Sequence, residues 1–166
     1  MTIVTILKEK NANKDILLAD YNLKNKKLPV GLIKLNTELI DSVLIDALKI
    51  LPANFIISWK NNNFDNNSNI VFLDDNFKNS GFDFIVCDEC DNFIMDYLKL
   101  WAVPIIWKSN NMSAIFKEFD AAKIEWNAFI FENNELCNVY YAIIRYTENF
   151  KFSYDNKALV KNILDI

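Results

Sequence analysis

The chain has no histidine, two glycines, three prolines and three cysteines, and its 18 basic residues include a single arginine, Arg145. The missing histidine removes every His-based triad, proton shuttle and metal site. Two glycines, Gly31 and Gly81, cannot build a Walker loop or a G-x-G-x-x-G fingerprint. Uncharged apolar runs such as residues 100–107 fall far short of the ~20 residues that span a bilayer. No charged segment leads into an apolar stretch of the kind that marks a secretory signal, so a cytoplasmic protein with reduced thiols is expected. A net charge of -4 and a pI near 4.9 disfavour nucleic acid as a partner, because a general binder needs a basic face.

What is present is a core. Of 166 residues, 52% are hydrophobic, and a chain of roughly 150 residues buries about 70% of its unfolded surface. The abundance of Lys, Asn and Ile resembles an AT-rich coding bias, so the run Asn61, Asn62, Asn63 is background rather than a site. Short β-rich apolar runs alternate with helical patterns, which predicts a single Rossmann-like α/β domain over residues 1–166. Its sheet should be mostly parallel, with helices on both faces. Strands are predicted at 2–7, 15–19, 30–35, 55–59, 70–73, 82–87, 103–107 and 128–131, with loops at 8–14, 23–27 and 60–69. Helices are predicted at 37–51, capped by Thr37 and followed by Pro52, and from Asp91 or Asn92 to Leu100. Further helices are expected at 112–119, 135–149 and 155–164.

Cys87-Asp88-Glu89-Cys90 is a C-x-x-C at a strand-to-helix junction, where a helix N-terminus can stabilise a thiolate. Its acidic interior and Asp91 favour the protonated thiol instead. Pro104 lies too close in sequence to act as a thioredoxin-type cis-proline, and one cysteine pair with a distant Cys137 does not make a zinc site. Cys87 therefore reads as a small buried hydrophobe. Asp88, Glu89, Asp91 and Asp96 cluster near the end of a predicted strand, where open α/β sheets bind ligands. Helix-dipole complementation is the favoured account of these acids on local grounds, since carboxylates at helix starts are common. The Asp15 to Tyr21 run, with Thr37 and Lys60, faintly echoes a response-regulator receiver, but the stretch before Asp20 is too short for that fold. Trp101, Trp107, Trp126, Tyr140, Tyr141 and Tyr146 are spaced as core and rim residues.

Residues 30–163 resemble, in order and spacing, the nucleotide-sugar-binding lobe of GT-B glycosyltransferases of the glycogen synthase-like kind. Lys34-Leu35-Asn36-Thr37-Glu38, then Val43-Leu44-Ile45-Asp46-Ala47-Leu48, is similar to that family's R-L-x-P-E-K-G-V-D-L-L-I-E-A-L. Residues 55–57 and 69–73 match its next two strands. Residues 82–106 resemble its E-x7-E segment and G-x-P-V-I, and residues 127–132 its N-G-F-L-V. The resemblance implies that Lys34, in place of an arginine, touches the donor diphosphate, while Leu39 stands where a lysine would complete the clamp. It implies that Glu89 meets the sugar and that Tyr97, or Asp96 one residue away, meets the ribose. Asn111 stands where a glycine amide approaches phosphate.

The expected function is thus a glycosyltransferase-like protein that binds a nucleotide-sugar or derives from such a binder, and hexosyl transfer would need a partner lobe or a second copy. The alternative is a non-catalytic interaction module with a decayed pocket. No cofactor and no metal are expected.

Overall fold

Six runs rich in Ile, Val and Phe form the strands. In the computed structural model, which describes residues 2–23, 25–36, 38–59, 64–73, 80–88, 92–108, 114–133, 135–164 and 166, they are β1 (Val30–Lys34), β2 (Asn54–Ser58), β3 (Ile70–Leu73), β4 (Phe84–Cys87), β5 (Val103–Trp107) and β6 (Phe129–Phe131). All neighbours pair in parallel, in the order β3-β2-β1-β4-β5-β6. The helices are α1 (Ile3–Asp20), α2 (Ser42–Lys49), α3 (Asn92–Leu98), α4 (Leu136–Phe150) and α5 (Ser153–Leu164). The β1-α2-β2 and β4-α3-β5 crossovers run in opposite directions along the sheet. Since such crossovers are right-handed, α2 and α3 lie on opposite faces. The central strands are buried on both sides, which is why each reads as a continuous apolar run. Among the described residues no helix is long and apolar enough to cross a membrane.

Three local expectations are corrected. The strands expected at 2–7 and 15–19, with a loop at 8–14 between them, are one helix, α1. Its buried face is Ile6, Lys10, Lys14, Leu17 and Leu18. The spacing is helical, but two of the five positions are lysines, so the apolar periodicity is erased. The second correction concerns α2, which starts at Ser42 rather than near 37. Asp41 is its N-cap, its side chain accepting the Leu44 N–H at 2.8 Å; Thr37 lies outside the described residues.

The third concerns the helix expected at 112–119, where residues 114–119 are a turn and an extended segment. There Glu118 bridges to Ala128, and the Lys117 N–H bonds the Asn127 side chain at 3.1 Å, so pairing beside β6 displaces helix formation.

The lysines of α1 meet Asp83, which precedes β4. Lys14 Nζ lies 2.7 Å from its carboxylate, and the same oxygen accepts the Val30 N–H at 2.9 Å. The Asp83 carbonyl accepts from Lys10 at 3.3 Å, from the Tyr146 hydroxyl at 3.2 Å and from the Val103 N–H at 2.9 Å. Lys10 also donates to the carbonyl of Trp101, a residue in the left-handed region at φ 62.

Both glycines serve packing. A Cβ on Gly31 would meet the Phe84 ring at 2.1 Å, so Gly31 lets that ring lie across β1 and reach Tyr146, 4.6 Å between centroids. Gly81, at φ +102, lets the backbone pass Asn13 and Lys14 of α1 where a Cβ would approach within 2.5 Å.

Two outcomes follow from the Asp83 cluster. Asp83→Asn leaves two buried lysines uncompensated and should cost about 3–5 kcal/mol in urea unfolding. Adding Lys14→Met should recover much of that loss. Burial lowers the Lys10 ammonium to about 8, against the raising effect of Asp83. The unfolded chain therefore holds more protons than the fold between about pH 8 and 10.5, and stability rises with pH there. Burial pushes the hydroxyl of Tyr97 up to about 12 and that of Tyr146 well above its ordinary value, so stability falls again above the ordinary tyrosine range near 10. Unfolding measured across this range should show a maximum near pH 10, and Lys10→Met should abolish the rising limb.

Candidate functional site

The strand order reverses between β1 and β4, and open α/β sheets bind ligands outside the carboxyl ends of the strands at such a switch point. Lys34 ends β1 there, half-buried, in register with Cys87 at the end of β4. Cys87 is buried in the core. Asp88 follows it and reaches across the gap, accepting the Asn36 N–H at 2.8 Å. Sequence reasoning grouped Asp88 with the acids of a helix start; the fold uses it to fasten the loop after β1.

That loop is closed on itself. The Glu38 N–H bonds the Asn36 side-chain oxygen at 3.3 Å, and the Leu39 N–H bonds the Asn36 carbonyl at 2.9 Å. Three amides that could have cradled a phosphate (Asn36, Glu38 and Leu39) thus have acceptors within the protein. Leu39 packs against the core and brings no charge to the edge. The site therefore offers a cation, Lys34, and a carboxylate, Asp88, in place of an amide nest.

The other residues named from sequence do not gather with Lys34. Tyr97 is buried in the last turn of α3, its ring 5.6 Å from Phe82 and edge-on to it. Phe82 lies just ahead of β4, at the amino end of the strands, away from the switch-point edge. Burial, with help from nearby Asp96 and Tyr21, raises the Tyr97 hydroxyl to about 12. Its surroundings are those of a core residue. Asp96 points into solvent, paired with Lys99 at 3.2 Å. Glu89, Asn111 and Cys90 lie outside the described residues. Among the described residues no three acidic or cysteine side chains converge as a metal ion would require.

The sequence matches no protein-family model and no curated protein. The fold does have a counterpart among solved structures. The chain is similar to the catalytic domain of starch synthase IV from Arabidopsis thaliana, bound to ADP and acarbose, with a TM-score of 0.73 over 95% of this chain at 18% identity. It spans 39% of that protein's length. The chain therefore has the Rossmann-like fold of one GT-B glycosyltransferase lobe.

The Asp88 contact has a measurable consequence. Asp88→Ala leaves the Asn36 amide to water and should destabilise the fold by about 1.5 kcal/mol, the low end of the range for hydrogen bonds to charged groups because this bond is exposed. Hydrogen exchange should show the largest loss of protection in the loop after β1, with β2 and β3 losing only the amount set by the global destabilisation.

Proposed function

We propose that this protein is glycosyltransferase-like and takes a nucleotide-sugar at the β1/β4 switch point. The observation that carries this reading is the placement of Lys34, a half-buried cation at the end of β1, on a fold similar to an ADP-bound synthase domain. An ammonium there offsets the charge of a diphosphate. In this reading Glu89, in the segment between β4 and α3, meets the donor sugar, and the Asn111 backbone approaches the phosphate. Tyr97 and Asp96 are left out of the ligand set, because one is packed on Phe82 and the other faces solvent. Hexosyl transfer also needs an acceptor lobe over this edge.

A second reading is a non-catalytic interaction module. The occupied amides of Asn36, Glu38 and Leu39 and the Asp88 carboxylate favour it, since each weakens an anion site.

Differential scanning with ADP-, UDP- and GDP-sugars separates the two. A donor at 100 times its dissociation constant stabilises the fold by about 2.7 kcal/mol. The nucleotide-sugar reading expects such a shift with one donor class, its loss in Lys34→Ala and its strengthening in Asp88→Asn, which removes a repelling charge. No shift with any donor refutes that reading and leaves the interaction module.

A further inference from the structure

We propose that the outer edge of β3 is a self-association surface that Asn66 and Asn67 hold closed, its occupant when opened being the β3 edge of a second copy. The surface lies at the margin of the sheet, two strand spacings from β1, and does not rest on the nucleotide-sugar reading.

The Phe55 N–H donates to the Asn69 carbonyl at 2.7 Å, and the Trp59 N–H to the Leu73 carbonyl at 2.9 Å. In a parallel ladder alternate residues face the same neighbour. Residues 69, 71 and 73 therefore bond β2, while the amides and carbonyls of Ile70 and Phe72 point outward. An outward row of this kind is a template for another strand. The side chains add to the hazard, since Ile70, Val71 and Phe72 are buried, β-branched or aromatic, and uncharged.

The loop that precedes β3 closes this row. Phe64 stacks on Phe72, 5.7 Å between centroids, and its ring lies 5.4 Å from that of Trp59, which brings residues 66 and 67 alongside the strand. The Asn66 side-chain oxygen accepts the Phe72 N–H at 2.8 Å. That of Asn67 accepts the Ile70 N–H at 2.9 Å, and the Asn67 N–H donates to the Ile70 carbonyl at 2.9 Å. A carboxamide oxygen imitates a peptide carbonyl, so these groups are satisfied without a further strand.

The far margin is closed differently. The outward N–H of Ile130 in β6 donates to Glu118 at 2.6 Å, and its carbonyl accepts from Arg145 at 2.7 Å. A strand arriving there must break a partly buried ion pair. At β3 it displaces two neutral side chains, of which Asn66 is exposed and Asn67 leaves its Nδ2 buried with no hydrogen-bond partner among the described residues. The β3 edge is therefore the one that opens. Two such edges are self-complementary about a two-fold axis at Val71: in antiparallel pairing Ile70 of each copy exchanges both backbone bonds with Phe72 of the other.

Asn66→Ala/Asn67→Ala removes both acceptor oxygens without adding apolar bulk, and Ser68→Ala, in the same exposed turn, leaves them in place. Light scattering at rising concentration should show the mean mass of the double variant climbing to twice that of the wild type, with Ser68→Ala unchanged. Hydrogen exchange locates the contact. In the dilute double variant the Ile70 and Phe72 amides should exchange about tenfold faster than in the wild type, relative to the β2-facing amide of Val71, and slow again as the mass rises. Asn66→Ala alone opens the Phe72 amide and keeps the Asn67 turn, so it serves in the same two measurements if the double variant does not fold. The proposal is overturned if the folded variant keeps the wild-type mass at every concentration, if Ser68→Ala assembles equally, or if assembly leaves the opened amides fast.

Discussion

Asp83 holds the amino ends of the strands together. Its carboxylate accepts the first amide of β1 and pairs with Lys14. Its carbonyl gathers Lys10 of α1, Tyr146 of α4 and the first amide of β5. One residue thus joins two helices to three strands in a region from which water is excluded. Buried charges are tolerated only when paired and hydrogen-bonded, and this cluster meets that condition with both side-chain and backbone acceptors. Gly81 lets the backbone leading to Asp83 run against α1.

At the opposite, carboxyl edge the scarcity of glycine has a structural consequence. Gly31 makes room for an aromatic ring and Gly81 for a helix backbone. Neither lies in the loop after β1, where a close approach of main chain to phosphate would call for one. Asn36 organises that loop instead, and in doing so satisfies its amides internally. The result is a loop whose turn is held from within, with Lys34 as a cation at the end of β1 beside it. The same economy of arginine is visible elsewhere. The one arginine is placed where a planar, multi-donor cation is needed, joining Glu118 to the β6 backbone.

Much of the sheet was readable in advance because parallel strands covered on both faces must be apolar throughout. Residues 70–73 and 103–107 are strands with the expected limits, and the other four sheet strands differ by a residue or two at an end. Helices α4 and α5 also follow the expected pattern. Helix α1 was not readable, because Lys10 and Lys14 occupy its inner face and partners some 70 residues away are what make those positions habitable. The start of α2 was misplaced for a local reason: Asn36 forms a turn that holds residues 38 and 39 out of the helix until Asp41 can cap it. Of the candidate site, Lys34 was named only through the resemblance to the GT-B lobe, since a single lysine at the end of an apolar run carries no signal of its own. The roles of Asp88 and Tyr97 were not legible, since each depends on what a distant strand places beside it.

The sequence by itself determined the class of fold, through the alternation of apolar runs and helical stripes. It also excluded histidine chemistry and glycine-rich phosphate loops, through composition alone. Only the tertiary structure decided which charges are buried, which amides already have acceptors and which residues share an edge of the sheet. These are properties of pairs far apart in the chain, and a hydrophobic period carries no information about the partner that neutralises a lysine or occupies an amide.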